Sequence, residues 1–130
     1  MLILSGGIYF LIEMERLETV VPRQPKEDGD IPVFLLNRLC GLDGQGEKSG
    51  YVLILNSGGG RFGVAVHLAE GLEYVKEEDK MPVAEEAIRR ENRYLDWVVP
   101  VERELCPGAY GLNVAELYEK ALGQEPDYWI

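Results

Sequence analysis

Residues 53–72 read LILNSGGGRFGVAVHLAEGL, and the fold turns on how that run is parsed. An apolar opening, Leu53 to Leu55, meets a Ser/Gly cluster at Ser57–Gly60. Apolar residues then return at every second position: Phe62, Val64 and Val66. Period-two alternation after a glycine turn describes a β-hairpin with one buried face. Residues 2–20, LILSGGIYFLIEMERLETV, repeat the layout: Leu-Ile-Leu, a Ser/Gly turn, then Phe10, Ile12 and Met14 as the alternating core positions. Both copies then change phase, at Leu17 in one and at Leu68 and Leu72 in the other. A strand cannot change faces without a bend or bulge, so turns are predicted near Glu15–Arg16 and His67–Leu68. The shared order favours an internal pseudo-repeat, 2–20 and 53–72, within one domain spanning 1–130.

Outward from the two copies, VPRQPKEDGD (21–30) is rich in Pro, Gly and charge and reads as a loop. Ile31–Leu35 is a short buried strand, and LLNRLCG is one helical turn stopped by Gly41. A second loop, 41–50, leads to a central apolar strand at Tyr51–Leu55. Pro82 is placed to start a short helix, PVAEEAIRREN, with Glu85–Arg89 and Glu86–Arg90 at i,i+4 spacing. Leu95–Val101 is a strand, and Tyr110–Leu112 begins another. Asn113 caps a last helix, VAELYEKAL, with Glu116 as capping-box partner and Gly123 closing it. Many short strands with little helix point to small barrels or a sandwich.

The chain has 130 residues and a net charge of −10, with 46% hydrophobic and 28% charged residues. That composition is globular, and the acidic surface repels phosphate backbones and acidic membranes, which argues against nucleic-acid binding. Cys40 and Cys106 stand far apart and outside any CxxC pair. With His67 the only histidine, a zinc site lacks ligands, and two free thiols in a reducing compartment are expected. No basic region precedes the first apolar stretch, and the longest apolar run of the N-terminus, Ile8–Ile12, is far too short to span a membrane. A cytoplasmic protein without signal peptide or membrane insertion is expected.

Chemistry has few candidates. Gly58–Gly63 formally matches the G-x-G-x-x-G dinucleotide loop, but β-branched alternation comes after it where a helix is required, and no series of βα units surrounds it. No Gly-Lys-Ser/Thr is present for a phosphate loop. His67 has Glu70 near it in sequence but no assembled nucleophile. The acidic clusters Glu27–Asp28–Asp30 and Glu77–Glu78–Asp79 lack calcium-loop spacing. No catalytic, cofactor-binding or metal-binding residue is assigned, and no cofactor is expected. A small nucleotide-binding enzyme on Gly58–Gly63 and a self-associating structural domain stand as alternatives to an adaptor.

The residues resemble a known family. YVLILNSGGGRFGVAVHLAEGLEYVKEED is similar to the second half of CheW-like domains. IPVFLLNRLCGL resembles their Pro-Val-x-x-Leu-x-x-x-Leu-Gly segment through Pro32, Val33, Leu36 and Leu39. FLIEMERLETV resembles their first alternating run, and YLDWVVPVERELCPGAYGLNVAELYEKAL their close. The resemblance implies an all-β fold of two intertwined SH3-like β-barrels with short helices and a C-terminal helix. It implies a non-enzymatic adaptor in chemotaxis-type signalling, coupling a chemoreceptor to the regulatory domain of a CheA-like histidine kinase. Leu17 and Thr19 match positions that face partners in such proteins, with Glu13 and Glu15 as the exposed flank. Three departures stand out. His67 replaces the usual Asp, Leu11 replaces a glycine, and only PRQPKEDGD separates Val21 from Ile31, where the family has a strand ending Asn-Leu-Arg-Gly. One barrel is therefore expected to lack a strand, its edge covered by a partner, by a flexible loop or by a second copy in a homodimer.

Overall fold

The structure, a computed structural model, describes residues 1–24, 28–41, 50–72, 75–83, 94–100 and 108–130. It opens on the first predicted hairpin. β1 (Leu2–Ser5) and β2 (Ile8–Leu11) pair antiparallel, with Ser5 opposite Ile8. The two-residue turn between them needs positive φ twice, and Gly6 and Gly7 supply 59° and 77°. A 3-10 turn at Met14–Arg16 then delivers the chain into β3 (Leu17–Pro22). This is the bend expected near Glu15–Arg16. It also corrects one core assignment: Phe10 and Ile12 are buried, but Met14 is 49% exposed. The strand ends at Leu11, and a 3-10 turn no longer alternates sides as a strand does.

β4 (Pro32–Leu35) runs straight into the single helical turn α1 (Leu36–Leu39). The second hairpin joins β5 (Tyr51–Asn56) to β6 (Arg61–Val66) in a register from Tyr51↔Val66 to Asn56↔Arg61. After the expected break at His67 comes β7 (Leu68–Gly71). β8 (Met81–Pro82) and β9 (Leu95–Pro100) are antiparallel, with Pro82 opposite Trp97. Pro82 therefore sits in an edge strand and does not start a helix. Residues 84–92 of that expected helix lie outside the described residues. β10 (Gly108–Leu112), α2 (Val114–Leu122) and β11 (Tyr128–Trp129) complete the described chain. The Asn113 side chain accepts from the Glu116 N–H at 3.1 Å, the predicted cap.

The strands form two mixed sheets, ordered β7-β1-β2-β10-β9-β8 and β11-β4-β6-β5-β3. Each centres on a hairpin. Beside the hairpin's first strand lies an antiparallel strand, β7 at β1 and β3 at β5. Beside its second lies a parallel strand, β10 at β2 and β4 at β6. The flanking antiparallel strands are exchanged: β3 comes after the first hairpin but joins the second sheet, and β7 does the reverse. The sheets are thus interleaved, a mostly β architecture with few short helices, and the described strands close neither sheet into a barrel.

Alternation along the strands builds three clusters. Ile3, Phe10, Ile12, Leu53, Leu55, Phe62, Val64 and Val66 face a shared core completed by α1 and by Val114, Leu117 and Ala121 of α2. The opposite-parity residues Leu2, Leu11, Val99 and Ala109 form a smaller cluster on the first sheet. Val33, Val52, Ile54 and Ala65 form its counterpart on the second. Both faces of each hairpin are therefore covered, and little but apolar residues can fill Val52–Leu55. Gly63 is required here, because a Cβ would come within 3.0 Å of the Val33 and Val52 methyls.

The β4 edge is covered from within the chain: Tyr128 and Trp129 of β11 pair with Val33 and Pro32. Bonds between Ile31 and Ile130, at 3.0 and 3.1 Å, extend the ladder.

Candidate docking surface

Leu17, Thr19, Glu13 and Glu15 converge on the bend and the β3 edge of the second sheet. The 3-10 turn sets their directions. Leu17 is half-buried, pairs opposite Leu55 and packs against the shared core. Thr19, opposite Ile54, is exposed and lines an open groove of about 330 Å³ on the sheet's outer face, with Val21, Ile31, Ile54, Arg61 and Ile130. Between them the exposed Glu18 binds Arg61 of β6 at 2.6 Å. Glu13 and Glu15 are both exposed. Glu13 also lines a polar pocket of about 220 Å³ with Arg16, Asp96 and Asn113. A hydrogen bond shared with Glu15 raises the Glu13 pKa, helped by burial and opposed by Lys80 and Arg16. Leu17 and Thr19 thus part company: one faces the core and the other the groove.

The Gly58–Gly63 turn is built for a hairpin. Asn56 Oδ1 accepts from the Gly58 N–H at 2.9 Å. Ser57 Oγ accepts from the Gly59 and Gly60 N–H groups at 3.2 and 3.0 Å, and its hydroxyl donates to the Gly60 carbonyl. The N–H groups a pyrophosphate needs are already bonded, and the turn leads into β6, a strand, where an anion site would need the N-terminus of a helix. Gly60 lacks a side chain for a packing reason: a Cβ would overlap the hydroxyl of Tyr118, whose ring lies tilted against Phe62 at 5.1 Å between centroids.

His67 and Cys40 both make contacts within the fold. The His67 N–H donates to the Leu4 carbonyl at 3.0 Å and ties the β6–β7 break to β1. Burial pushes the Cys40 thiol up to about 11, against a hydrogen bond to Tyr94 and the Lys120 charge. A thiol held protonated is a poor nucleophile or metal ligand. Cys106 lies outside the described residues. Among the described residues, no group of three or more His, Cys, Asp or Glu is placed to hold a metal ion, and no helix is long and apolar enough to cross a membrane.

No protein-family model matches the chain, and no curated protein matches it. Solved structures do. One is the scaffolding protein TtCheW from Thermoanaerobacter tengcongensis, with a TM-score of 0.73 at 12% identity, over 98% of this chain and 95% of that one. At that identity the likeness speaks to the fold, and it runs through both interleaved sheets. The chain has a CheW-like fold.

Proposed function

We propose that this chain is a non-enzymatic adaptor that docks by surface recognition onto a CheA-like kinase regulatory domain, a chemoreceptor, or both, in the cytoplasm. The observation that carries this reading is the whole-length likeness to a scaffolding protein. The Gly58–Gly60 turn, with its N–H groups bonded internally, weighs against the nucleotide-binding enzyme. We place the docking surface on the β3 edge, with Thr19 and the Glu13–Glu15 flank in contact and Leu17 supporting them from behind. We also infer that residues 2–20 and 53–72 descend from a duplication, which the common strand order of the two sheets supports.

The test is titration of the purified chain with a kinase regulatory domain and with a receptor signalling tip. Thr19→Lys should abolish capture and leave the melting temperature unchanged, since Thr19 is exposed. Leu17→Asp should lower the melting temperature sharply, because it places a carboxylate against the core. Absence of binding to either partner, with saturable micromolar binding of NAD or ATP, would sink the adaptor and restore the enzyme.

A further inference from the structure

The segment after α2 is held by a matched set of contacts on the edge of β4. Asp127 enters first. Its carboxylate accepts the Leu35 N–H at 2.8 Å and pairs with Arg38 at 3.0 Å, while its own N–H donates to the Val33 carbonyl at 2.8 Å. Tyr128 comes next, packed on the outer-face cluster of Val33, Val52, Ile54 and Ala65, with the Arg23 guanidinium 5.0 Å from its ring centroid. Ile130 closes the ladder against Ile31 and lines the groove beside Thr19. Gly29 admits it: a Cβ there would stand 2.5 Å from the Ile130 carbonyl carbon. The seat therefore reads an acidic residue, an aromatic and an aliphatic in one extended run.

The strand pairing itself is short. Only Tyr128 and Trp129 pair as strand, and Trp129 stays 44% exposed. The Tyr128 hydroxyl is buried with no hydrogen-bond partner among the described residues. The connector, Gly123 to Pro126, is mostly exposed, and its Glu125 carbonyl accepts from Arg38 at 2.8 Å. We propose that residues 124–130 exchange between two copies of this chain, so that the β4 edge is the docking site for the second copy's Asp127-Tyr128-Trp129-Ile130 run. The second copy is the fitting occupant because it carries the acid that Arg38 and the Leu35 N–H bind, the ring that Arg23 covers and the backbone that Gly29 admits. Exchange keeps every seat contact and changes only the path of the connector. Two chains of net charge −10 repel, so the exchanged dimer should gain from added salt.

Complementation tests this without reference to any signalling partner. One chain stops after Gly123 and offers a vacant seat. The other carries Gly29→Val, which shuts its seat and frees its strand. Each alone should run as a monomer in light scattering, and an equimolar mixture should form a 1:1 complex. Adding Asp127→Ala to the Gly29→Val chain should weaken that complex roughly tenfold, the scale of one charge-assisted contact. A labelled peptide of residues 124–130, added to the full-length chain, keeps the test decisive if the shortened chain does not fold. The full-length chain should take up the peptide and the Gly29→Val chain should not. No complex and no peptide uptake would make β11 a fixed part of the sheet, and uptake unaffected by Gly29→Val would place the binding elsewhere. Either result overturns the proposal.

Discussion

The two sheets fill one position by different routes. In the first, β10 lies parallel to β2 and takes β9, the strand before it in the chain, as its outer neighbour. In the second, β4 lies parallel to β6 in the same relation but takes β11, which arrives from beyond α2. The order survives although the connection does not. A strand paired on one side only presents a row of N–H and C=O groups on the other, and satisfying them matters more than which segment does so. Close packing obeys the same logic on both sides. A Cβ on Gly111 would overlap the Trp97 ring of β9, and a Cβ on Gly29 would run into Ile130 beside β11.

The largest effects should come from the hairpins, where the sheets are most alike. Phe62 and Phe10 occupy matching positions and both face the shared core, at 0% and 2% exposure. Either Phe→Ala change should cost about 3–5 kcal/mol. Phe62→Ala should cost more, since its ring lies 5.1 Å from Tyr118 while that of Phe10 lies 6.5 Å from Tyr110. Chemical denaturation checks both. Single, coincident transitions in both chains would mean that the interleaved sheets unfold as one unit. A Phe10→Ala chain that loses one sheet first would break the comparison.

Next in size is an alkaline effect at the joint between the sheets. Cys40 comes directly after α1, which leaves β4, and Tyr94 precedes β9, so their contact ties one sheet to the other. Burial raises both pKa values, that of Cys40 from 9.0 to about 11. The folded chain therefore keeps a thiol proton that the unfolded chain has already lost. This contribution is whole below about pH 9 and falls away as pH rises toward 11, by on the order of 2 kcal/mol. Cys40→Ala should flatten the decline that starts near pH 9 and also lessen the Tyr94 part that starts near pH 10, because Cys40 helps to raise the Tyr94 hydroxyl. Denaturant midpoints across that range provide the measurement.

A smaller loss should result from Asp127→Ala in the borrowed strand. It removes an ion pair with a half-exposed Arg38 and leaves the Leu35 N–H without its acceptor. The expected cost is about 1 kcal/mol, most of it from the orphaned N–H. Amide exchange should accelerate at Ile31 and Ile130 and not along β9, because β9 is held by a longer ladder of its own.

These differences track what was legible in the sequence. Both hairpins, the bends at Glu15–Arg16 and His67, the turn after β4 and the Asn113 cap are local patterns of a few residues, and each stands where its pattern put it. Met14 misled because alternation in the sequence outlasted the strand by one step. Pro82 misled because a neighbouring strand, invisible locally, recruits it to an edge. β11 gave no signal at all: two aromatics after a proline have no period, and their partner lies almost a hundred residues back. The geometry of the candidate residues on the β3 edge was half legible. The phase break located the bend, but only the pairing of β3 with β5 separates Thr19, facing the groove, from Leu17, facing the core.

The smallest expected effect concerns the ion pair on the β3 edge. Arg61 and Glu18 approach to 2.6 Å, closer than Arg38 and Asp127, yet the shorter distance should not mean the larger contribution. Both side chains are well exposed, at 53% and 36%, so water and salt screen the charges and the two must give up rotamer freedom to meet. No backbone group depends on this carboxylate as the Leu35 N–H depends on Asp127. Glu18→Gln should therefore cost about 0.2–1 kcal/mol at low ionic strength and nothing measurable in 0.5 M salt, where roughly 4 Å of screening length remains. A double-mutant cycle with Arg61→Gln isolates the pair. A coupling above 2 kcal/mol that persists in salt would mean that β3, a strand borrowed from the other hairpin's half, is pinned by charge as β11 is. The two edges of the second sheet would then be alike, and the groove between them would be a rigid channel with no freely opening side.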